Sequence, residues 1–531
     1  MPKKFKELDI SPATYATADT KNKQNFPAWK MNDEDRLIQL LHTGRLEKVY
    51  YAGKHEMTRE AVELLERAPV DLLEKWVPIA RNDGFMRTMP ILALTILSEK
   101  DIKTAQRIFN DVIRTGNDLS DFMDARQARG RGFGRGIKRA IKEWLKVKLS
   151  EFYAIKYGNE VVRGIRVSRP SEEDIDDTSF KIIQYLMRKY DNKWKDEEYE
   201  IPPELEKLQA FEEIKQIDPT DLDNVERLIK KGRLDYSVLS MLPKSPELWK
   251  IMMRQMGVFA LLRHLATFER HDLDKDDEVY DFLLGKDGRI SAENLLKAKV
   301  FPFRVFQAFQ QITSTRFRNG LASVMEEFLP KYDFTNWGRV AVCPDVSGSM
   351  TLNFNKSSLA YIDIAALFGV VLYKGIEESD IFPWSTSLYT APPKNDSIIS
   401  MTEAVKRTGG GGTFMELPLK YMLNGHIDGQ SAHGYNRSLA VRGTKRPKRW
   451  NRLQFDTLIW ITDTIEFGDG WLGWWKTYKR KFPMAKAILI RIDSYDSQPF
   501  PEDVREEYDI IQIFGWNNSV LDYIDYVLNK E

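Results

Sequence analysis

The sequence predicts a multidomain chain in which an all-α helical array is followed by an α/β, doubly wound domain. Two observations carry this. The 531 residues exceed the roughly 250 to 300 over which a single core stops growing. The spacing of apolar residues also changes character near Lys331 to Gly338. On this basis residues 15–335 form the helical part and residues 336–531 the α/β part.

From about Asn32 to Tyr332 apolar residues recur three and four apart, in segments broken by polar turns. Asp33 to Leu41, Thr58 to Arg67, Asp71 to Arg81, Pro90 to Leu97 and Ile102 to Thr115 each read as a helix. Asp33 and Thr58 are the expected N-caps, because a short side-chain oxygen can accept from the unpaired first-turn amides. Helices so closely spaced must pack as antiparallel pairs. Pairs recurring at roughly 40 residues resemble HEAT-type arrays. Between Pro90 and Pro170 the chain has no proline, so helices there can run long.

Beyond Gly338 short apolar runs suited to buried strands alternate with helical stretches. The runs are Arg339 to Cys343, Ile381 to Trp384, Leu458 to Thr462, Ala487 to Ile492 and Ile510 to Phe514. Ile362 to Tyr373, Met415 to Leu423 and Val520 to Leu528 read as helices. Such alternation predicts a mostly parallel sheet with ligands beyond the carboxyl ends of its strands.

Composition narrows the function classes. The chain is 42% hydrophobic and 12% aromatic, enough for packed cores despite 30% charged residues. Its net charge of +1 gives no global attraction to nucleic acid or membrane, so any such partner must be met by a local cluster. No apolar run approaches the roughly 20 residues of a membrane helix, and the lysine-rich start, Met1 to Glu7, has no apolar stretch behind it. The single cysteine, Cys343, cannot form an intrachain disulfide. A cytoplasmic protein with no membrane partner is expected.

The most specific motif is Asp345-Val346-Ser347-Gly348-Ser349, at the end of the first expected strand. It puts a carboxylate and two hydroxyls on one turn, and oxygen donors of this kind suit a hard divalent cation, Mg2+ or Mn2+. Thr413 follows the glycines 409–412, and Asp463 ends the strand Leu458 to Thr462, so both should reach the same sheet edge. The competing reading is that Asp345 and its serines cap a helix. The glycines are not a phosphate-binding loop, since no lysine precedes Thr413. This pattern resembles the metal-ion-dependent adhesion site of von Willebrand factor A domains. The resemblance implies that Ser347, Ser349 and Thr413 are direct ligands and that Asp345 and Asp463 act through water. One metal position would stay open for an acidic side chain of a protein partner.

A second constellation is basic. Arg126, Arg129, Arg131, Arg135, Lys138, Arg139, Lys142, Lys146 and Lys148 share a stretch whose only acid is Glu143. Glycines 130, 132, 134 and 136 interrupt its first half, which predicts a loop feeding a helix from about Ile137. A helix start with basic side chains is a phosphate site. Lys138, Lys142 and Lys146 fall on one face, and Ile141, Leu145 and Leu149 on another. Phe133, in the glycine loop, is positioned to stack on a base. The competing reading is a solvated basic face balanced by the acidic run Glu172 to Asp177.

The run from Gly132 to Trp144 is similar to a signature of the TROVE module of Ro autoantigens and their bacterial relatives. Flanking matches are Gly44 through Tyr50-Tyr51 to Met57-Thr58, Leu261 to Leu265, and Phe301-Pro302-Phe303. A Ro-type protein carries a von Willebrand factor A domain after its helices, the order expected here. The resemblance implies a closed ring of helical repeats. Its hole would admit single-stranded 3′ ends of misfolded RNA, and its outer surface would bind a Y-like small noncoding RNA. Arg129, Arg131, Arg135, Lys138, Arg139, Lys142 and Lys156 are the expected RNA contacts, with Arg263 and His264 facing the hole. His264 stands where the family commonly has asparagine, and Phe301 and Arg304 where histidine is often seen.

The expected function is an RNA-binding scaffold, not an enzyme, that aids RNA processing, quality control or decay alongside an exoribonuclease. The alternative is a metal-dependent protein-binding module with no RNA role. A nuclease centre would need more clustered carboxylates than Asp345 and Asp463. A second basic run, Arg442 to Arg452, falls between Thr413 and Asp463 and is a further place for RNA contact.

Overall fold

The computed structural model describes residues 18–44 (save 24), 54–190, 200–328 (save 240, 243 and 301), 334, 337–353, 359–424 (save 408), 453–464, 470–516 (save 494) and 519–529. Arg442 to Arg452, Tyr50-Tyr51 and Phe301 lie outside these residues. The chain forms two compact units, one of residues 62–289 and one of residues 1–61 with 290–531.

The elements begin with β1 (Thr20–Lys21), β2 (Pro27–Lys30), α1 (Asp33–Thr43) and α2 (Lys54–Arg67). Then come α3 (Val70–Asn82), α4 (Thr88–Lys100), α5 (Ile102–Val112), α6 (Gly116–Ala128), α7 (Arg135–Lys148) and α8 (Glu151–Ser168). The unit of residues 62–289 ends with α9 (Asp177–Tyr190), α10 (Glu206–Glu213), α11 (Leu222–Gly232), α12 (Pro246–Met253), α13 (Val258–Arg270) and α14 (Asp277–Leu284). Two of the expected caps move. The α1 N-cap is Asn32, whose Oδ1 accepts from the Asp35 amide at 2.7 Å, and Thr58 lies inside α2. In both cases the acidic or hydroxyl residue belongs to the first turns, where it favours the positive end of the helix dipole or remains neutral.

Within 62–289 each helix packs on the next or next but one: α3 on α4 and α5, α5 on α7, α6 on α8, α8 on α9 and α10. This is how a stack of helix pairs buries a continuous core. Phe109 and Phe122 meet edge to face at 5.2 Å, and the buried Trp144 donates its Nε1 hydrogen to Ile113 O at 2.6 Å. Asp118, 1% exposed, takes hydrogen bonds from Arg81 (2.8 Å) and Arg87 (2.6 Å), tying α6 to the preceding helices. The long proline-free stretch yields α8 of 18 residues, which departs from helical geometry at Tyr157. There Gly116 leaves room for the tyrosine, since a Cβ at that position would lie 2.4 Å from Tyr157 Cβ.

The other unit holds α15 (Ala292–Lys297), α16 (Pro302–Gln311), α17 (Thr315–Glu327), β3 (Val340–Pro344), α18 (Tyr361–Gly375), β4 (Ser379–Ile381), α19 (Ile398–Lys406) and α20 (Leu417–Asn424). It continues through β5 (Thr457–Thr462), α21 (Trp471–Lys481), β6 (Lys486–Arg491), β7 (Ser497–Gln498), α22 (Val504–Glu507), β8 (Ile510–Phe514) and α23 (Ser519–Asn529). The strands expected from sequence become a parallel sheet of order β4-β3-β5-β6-β8. Its order reverses between β3 and β5, the switch point where doubly wound folds bind ligands. One side of the sheet is filled by a tryptophan cluster, Trp460, Trp471 and Trp475, with the latter two stacked at 6.3 Å.

Helices on both sides of the expected boundary join this unit. Glu326 of α17 accepts from the Ile398 amide at 2.6 Å and pairs with Lys374 of α18 at 2.9 Å. The N-terminal β1 and β2 form a second, antiparallel sheet with β7, in register Trp29↔Gln498. Beside it Arg491, fully buried, holds Asp493 at 2.9 Å, and Gln39 of α1 donates to the same carboxylate at 3.3 Å. No described helix is long and apolar enough to cross a membrane.

Candidate metal and nucleic-acid sites

The turn after β3 is built from backbone bonds that leave its side chains aimed together. Asp345 N donates to Ile461 O (3.0 Å) and Val346 N to Trp384 O (2.9 Å), extending the strand pairing one step past β3. The Asp345 carboxylate then accepts from Ser347 N at 2.8 Å and from Thr462 Oγ1 at 2.6 Å. The Ser347 and Ser349 hydroxyls lie 3.2 Å apart. Ser347 heads the short turn Gly348–Thr351, yet its side chain does not cap it.

The glycine loop is laced to this turn. Gly410 N donates to Val346 O (2.8 Å) and Gly348 N to Gly411 O (2.9 Å). Gly410 and Gly411 have φ of 123° and 85°, conformations open to glycine at low cost. At Gly411 a Cβ would also strike Thr386 Oγ1 at 2.7 Å. Thr413 leaves this loop, and Asp463 follows Thr462, whose hydroxyl is already bonded to Asp345. Thus Asp345, Ser347 and Ser349 follow β3, Asp463 follows β5, and Thr413 leaves the loop bonded to the β3 turn; none of the five is more than 4% exposed.

The donor set fits a hard cation: two carboxylates and three hydroxyls, all oxygen. Sequence reasoning missed Thr462 and Thr464, which flank Asp463, and Glu416, three residues after Thr413. Thr462 orients Asp345, while Thr464 Oγ1 and Glu416 Oε2 are buried without a hydrogen-bond partner. Unpaired buried oxygens of this kind call for a ligand or water. Burial lifts the Asp345 pKa to about 6, with the Thr462 and Ser347 bonds opposing it. Among the described residues no three His, Cys, Asp or Glu side chains converge to hold a metal, so the site is rich in hydroxyls, not carboxylates.

The basic stretch resolves into paired and unpaired charges. Arg126 is buried and donates to Gly132 O (2.9 Å) and to Ser98 Oγ, holding the glycine loop in place. Arg129 is taken by Glu99 (2.6 Å) and Glu66 (2.7 Å), and Arg131 reaches Glu99 at 3.3 Å. Lys142 meets Asp174 at 2.6 Å, so the acidic run balances one member of the cluster. By contrast Arg135, Lys138, Arg139 and Lys146 are exposed and have no carboxylate partner among the described residues.

Helix α7 starts at Arg135, two residues before the expected Ile137, and its N-cap Gly134 offers no side-chain cap. The first-turn amides and the arginines therefore share one exposed end. The opposite face is packed through Ile137, Ala140, Ile141, Trp144 and Leu145. Gly136 lets α7 lie close on α5, where a Cβ would meet Ile102 Cγ1 at 2.4 Å. Phe133 is half-buried. Lys156, exposed on α8, sits over the Phe152 (5.1 Å) and Tyr157 (5.6 Å) rings.

Arg263 and His264 lie on α13. His264 is half-buried among Tyr236 (5.2 Å), Trp249 (5.5 Å) and Phe268, with Nδ1 at 2.8 Å from Ala260 O. Arg263 is exposed over the ring of the exposed Phe259.

No protein-family model matches the sequence. A search of solved structures returns the Ro (RSR) protein of Deinococcus radiodurans, with a TM-score of 0.63 at 16% identity. The likeness covers 94% of this chain and 99% of that one. This chain has the Ro fold. The match runs through both the helical array and the parallel sheet, as expected from the order of elements in the sequence. At this identity the Ro fold is shared while most side chains are not, so the sites stand on their own geometry.

Proposed function

We propose that the chain is a non-catalytic RNA-binding scaffold whose RNA phosphates are held by the exposed face of α7. The observation that carries this is the strip Arg135, Lys138, Arg139 and Lys146, unpaired and exposed beside an uncapped helix start. Arginine and lysine at such an end neutralise phosphates without reading sequence. Lys142, on the same helix, and Lys156, exposed on α8, are additional contacts. Arg129 and Arg131, already engaged by Glu99, contribute by setting the loop, and Arg263 beside Phe259 offers a second contact. The RNA envisaged is a Y-like small noncoding RNA and the single-stranded 3′ ends of misfolded RNA. The cellular role is cytoplasmic RNA processing, quality control or decay in company with an exoribonuclease.

The α/β domain is proposed to bind Mg2+ or Mn2+ through Ser347, Ser349 and Thr413, with Asp345 and Asp463 behind them. The metal would supply a positive centre for an acidic side chain of a protein partner. Unpaired Thr464 Oγ1 and Glu416 Oε2 support this reading.

Hydrogen exchange on the full chain tests the RNA site. A structured RNA with a single-stranded 3′ tail should slow the amides of residues 134–139. RNA that binds while leaving them unprotected would overturn the assignment.

A further inference from the structure

A cavity of about 670 Å3 opens between α8, α9, α10 and the short turn Tyr236–Val238. This lies within the size range of small-ligand pockets. Its lining contains three lysines, Lys156, Lys189 and Lys215, and no acidic residue. Tyr190 and Phe211 give aromatic wall, and isoleucine, valine and leucine side chains give an apolar floor.

The charges are arranged to leave a surplus. Lys189 and Lys215 share a single oxygen of Glu212, each at 2.7 Å, and Tyr185 OH donates to it at 2.5 Å. Burial favours the neutral acid, but these bonds outweigh it and hold the Glu212 pKa down to about 2. One carboxylate thus balances one of the two lysines, and Lys156 has no carboxylate partner among the described residues. The Lys215 ammonium stands 4.0 Å over the Phe211 ring. Ser237 Oγ, in the lining, is buried and has no hydrogen-bond partner.

A ligand that satisfies this lining needs an anionic end for the ammonium groups, a flat apolar body for the walls, and a polar edge for the serine. An alkyl chain would leave the hydroxyl unpaired, at the full desolvation penalty. A nucleobase supplies both the flat face and the hydrogen-bonding edge. We infer that this cavity takes one nucleotide, its phosphate on Lys156 and Lys215 and its base edge on Ser237. The nucleotide is either free or an unstacked unit of an RNA chain, and only the second source rests on the RNA reading above.

The test uses the full chain with two probes, AMP by calorimetry and a fluorescein-labelled oligoadenylate by anisotropy. Met241→Trp fills the cavity mouth from a residue 42% exposed, and Ser237→Ala removes only the hydroxyl; melting curves confirm that both fold. The expected result is that Met241→Trp weakens the oligonucleotide roughly tenfold with an unchanged salt slope, and Ser237→Ala roughly threefold. Saturable AMP binding lost in Met241→Trp, with oligonucleotide affinity unaltered, would support a free nucleotide as the occupant. The reverse pattern would support a nucleotide of the chain. If AMP does not bind and Met241→Trp leaves the oligonucleotide unaffected, the inference is overturned. RNA binding that still depends on Arg135 to Arg139 would then leave the RNA reading standing, while AMP binding without RNA binding would sink that reading alone.

Discussion

At the scale of single residues, the sheet edge proposed to hold a metal depends on a hydroxyl that the motif did not include. Thr462 Oγ1 gives Asp345 Oδ2 its 2.6 Å hydrogen bond and accepts from the Thr464 amide. Thr462→Val keeps the shape and removes both, so it should destabilise the domain by about 1 to 3 kcal/mol and weaken any Mn2+-dependent rise in melting temperature. An unchanged melting curve with and without Mn2+ would remove Thr462 from the site. The turn of Asp345, Ser347 and Ser349 and its pairing with the glycine loop were legible because carboxylate, hydroxyl and glycine spacing is local chemistry. Thr462 was not, because its partner Asp345 lies 117 residues away, and the burial of the Thr464 and Glu416 oxygens arises only on folding.

Asp118 poses the same problem in the helical unit. Burial pushes its pKa up, but the Arg81 and Arg87 bonds prevail and hold it below the usual carboxylate range. A depressed carboxylate contributes stability that is present above its unfolded pKa and is lost as pH falls through its lower folded value. Asp118→Asn should therefore cost about 3 kcal/mol at neutral pH and flatten the acid limb of the urea stability curve. An acid limb identical to wild type would show that the two arginines do not hold the charge.

At the scale of elements, close approach decides the sign of a substitution in α7. Gly→Ala inside a helix ordinarily stabilises by about 0.5 to 1 kcal/mol. At Gly136 the new Cβ would sit 2.4 Å from Ile102 Cγ1, and overpacking costs about 1 to 3 kcal/mol. Gly136→Ala should thus lower the urea midpoint, and a raised midpoint would mean that Ile102 moves aside freely. The helices of the array and the parallel strands were legible because their apolar periodicity runs over many residues. The strands β1, β2 and β7 were not. They span two to four residues, and Gln498 Nε2 finds Lys30 O 468 positions away. Helix α21 was missed because three tryptophans and a basic end blur its apolar stripe.

At the scale of the whole molecule, the change of period near Lys331 to Gly338 marks where helices give way to the sheet, yet compactness follows pairings that sequence order hides. Glu326 reaches Ile398 and Lys374, and Gln39 reaches Asp493, so a segment near the start of the chain and a helix just before the change of period both pack in the unit of the parallel sheet. The basic run from Arg126 to Lys148 likewise looked uniform in sequence, whereas carboxylates far along the chain engage Arg129, Arg131 and Lys142 and leave Arg135, Lys138, Arg139 and Lys146 exposed and unpaired. The central claim is that those exposed cations hold RNA. The direct measurement is the affinity of a structured RNA with a single-stranded 3′ tail across a salt series, for wild type and for Arg135, Lys138, Arg139, Lys142 and Lys146 changed together to alanine. Each phosphate no longer neutralised should reduce the slope of log affinity against log salt by about 0.7. A slope flatter by about 2 to 3 is the predicted result, with Lys142 contributing least because Asp174 holds it. An unaltered slope would contradict the site, and no RNA binding at all would leave the α/β domain as a metal-dependent protein-binding module.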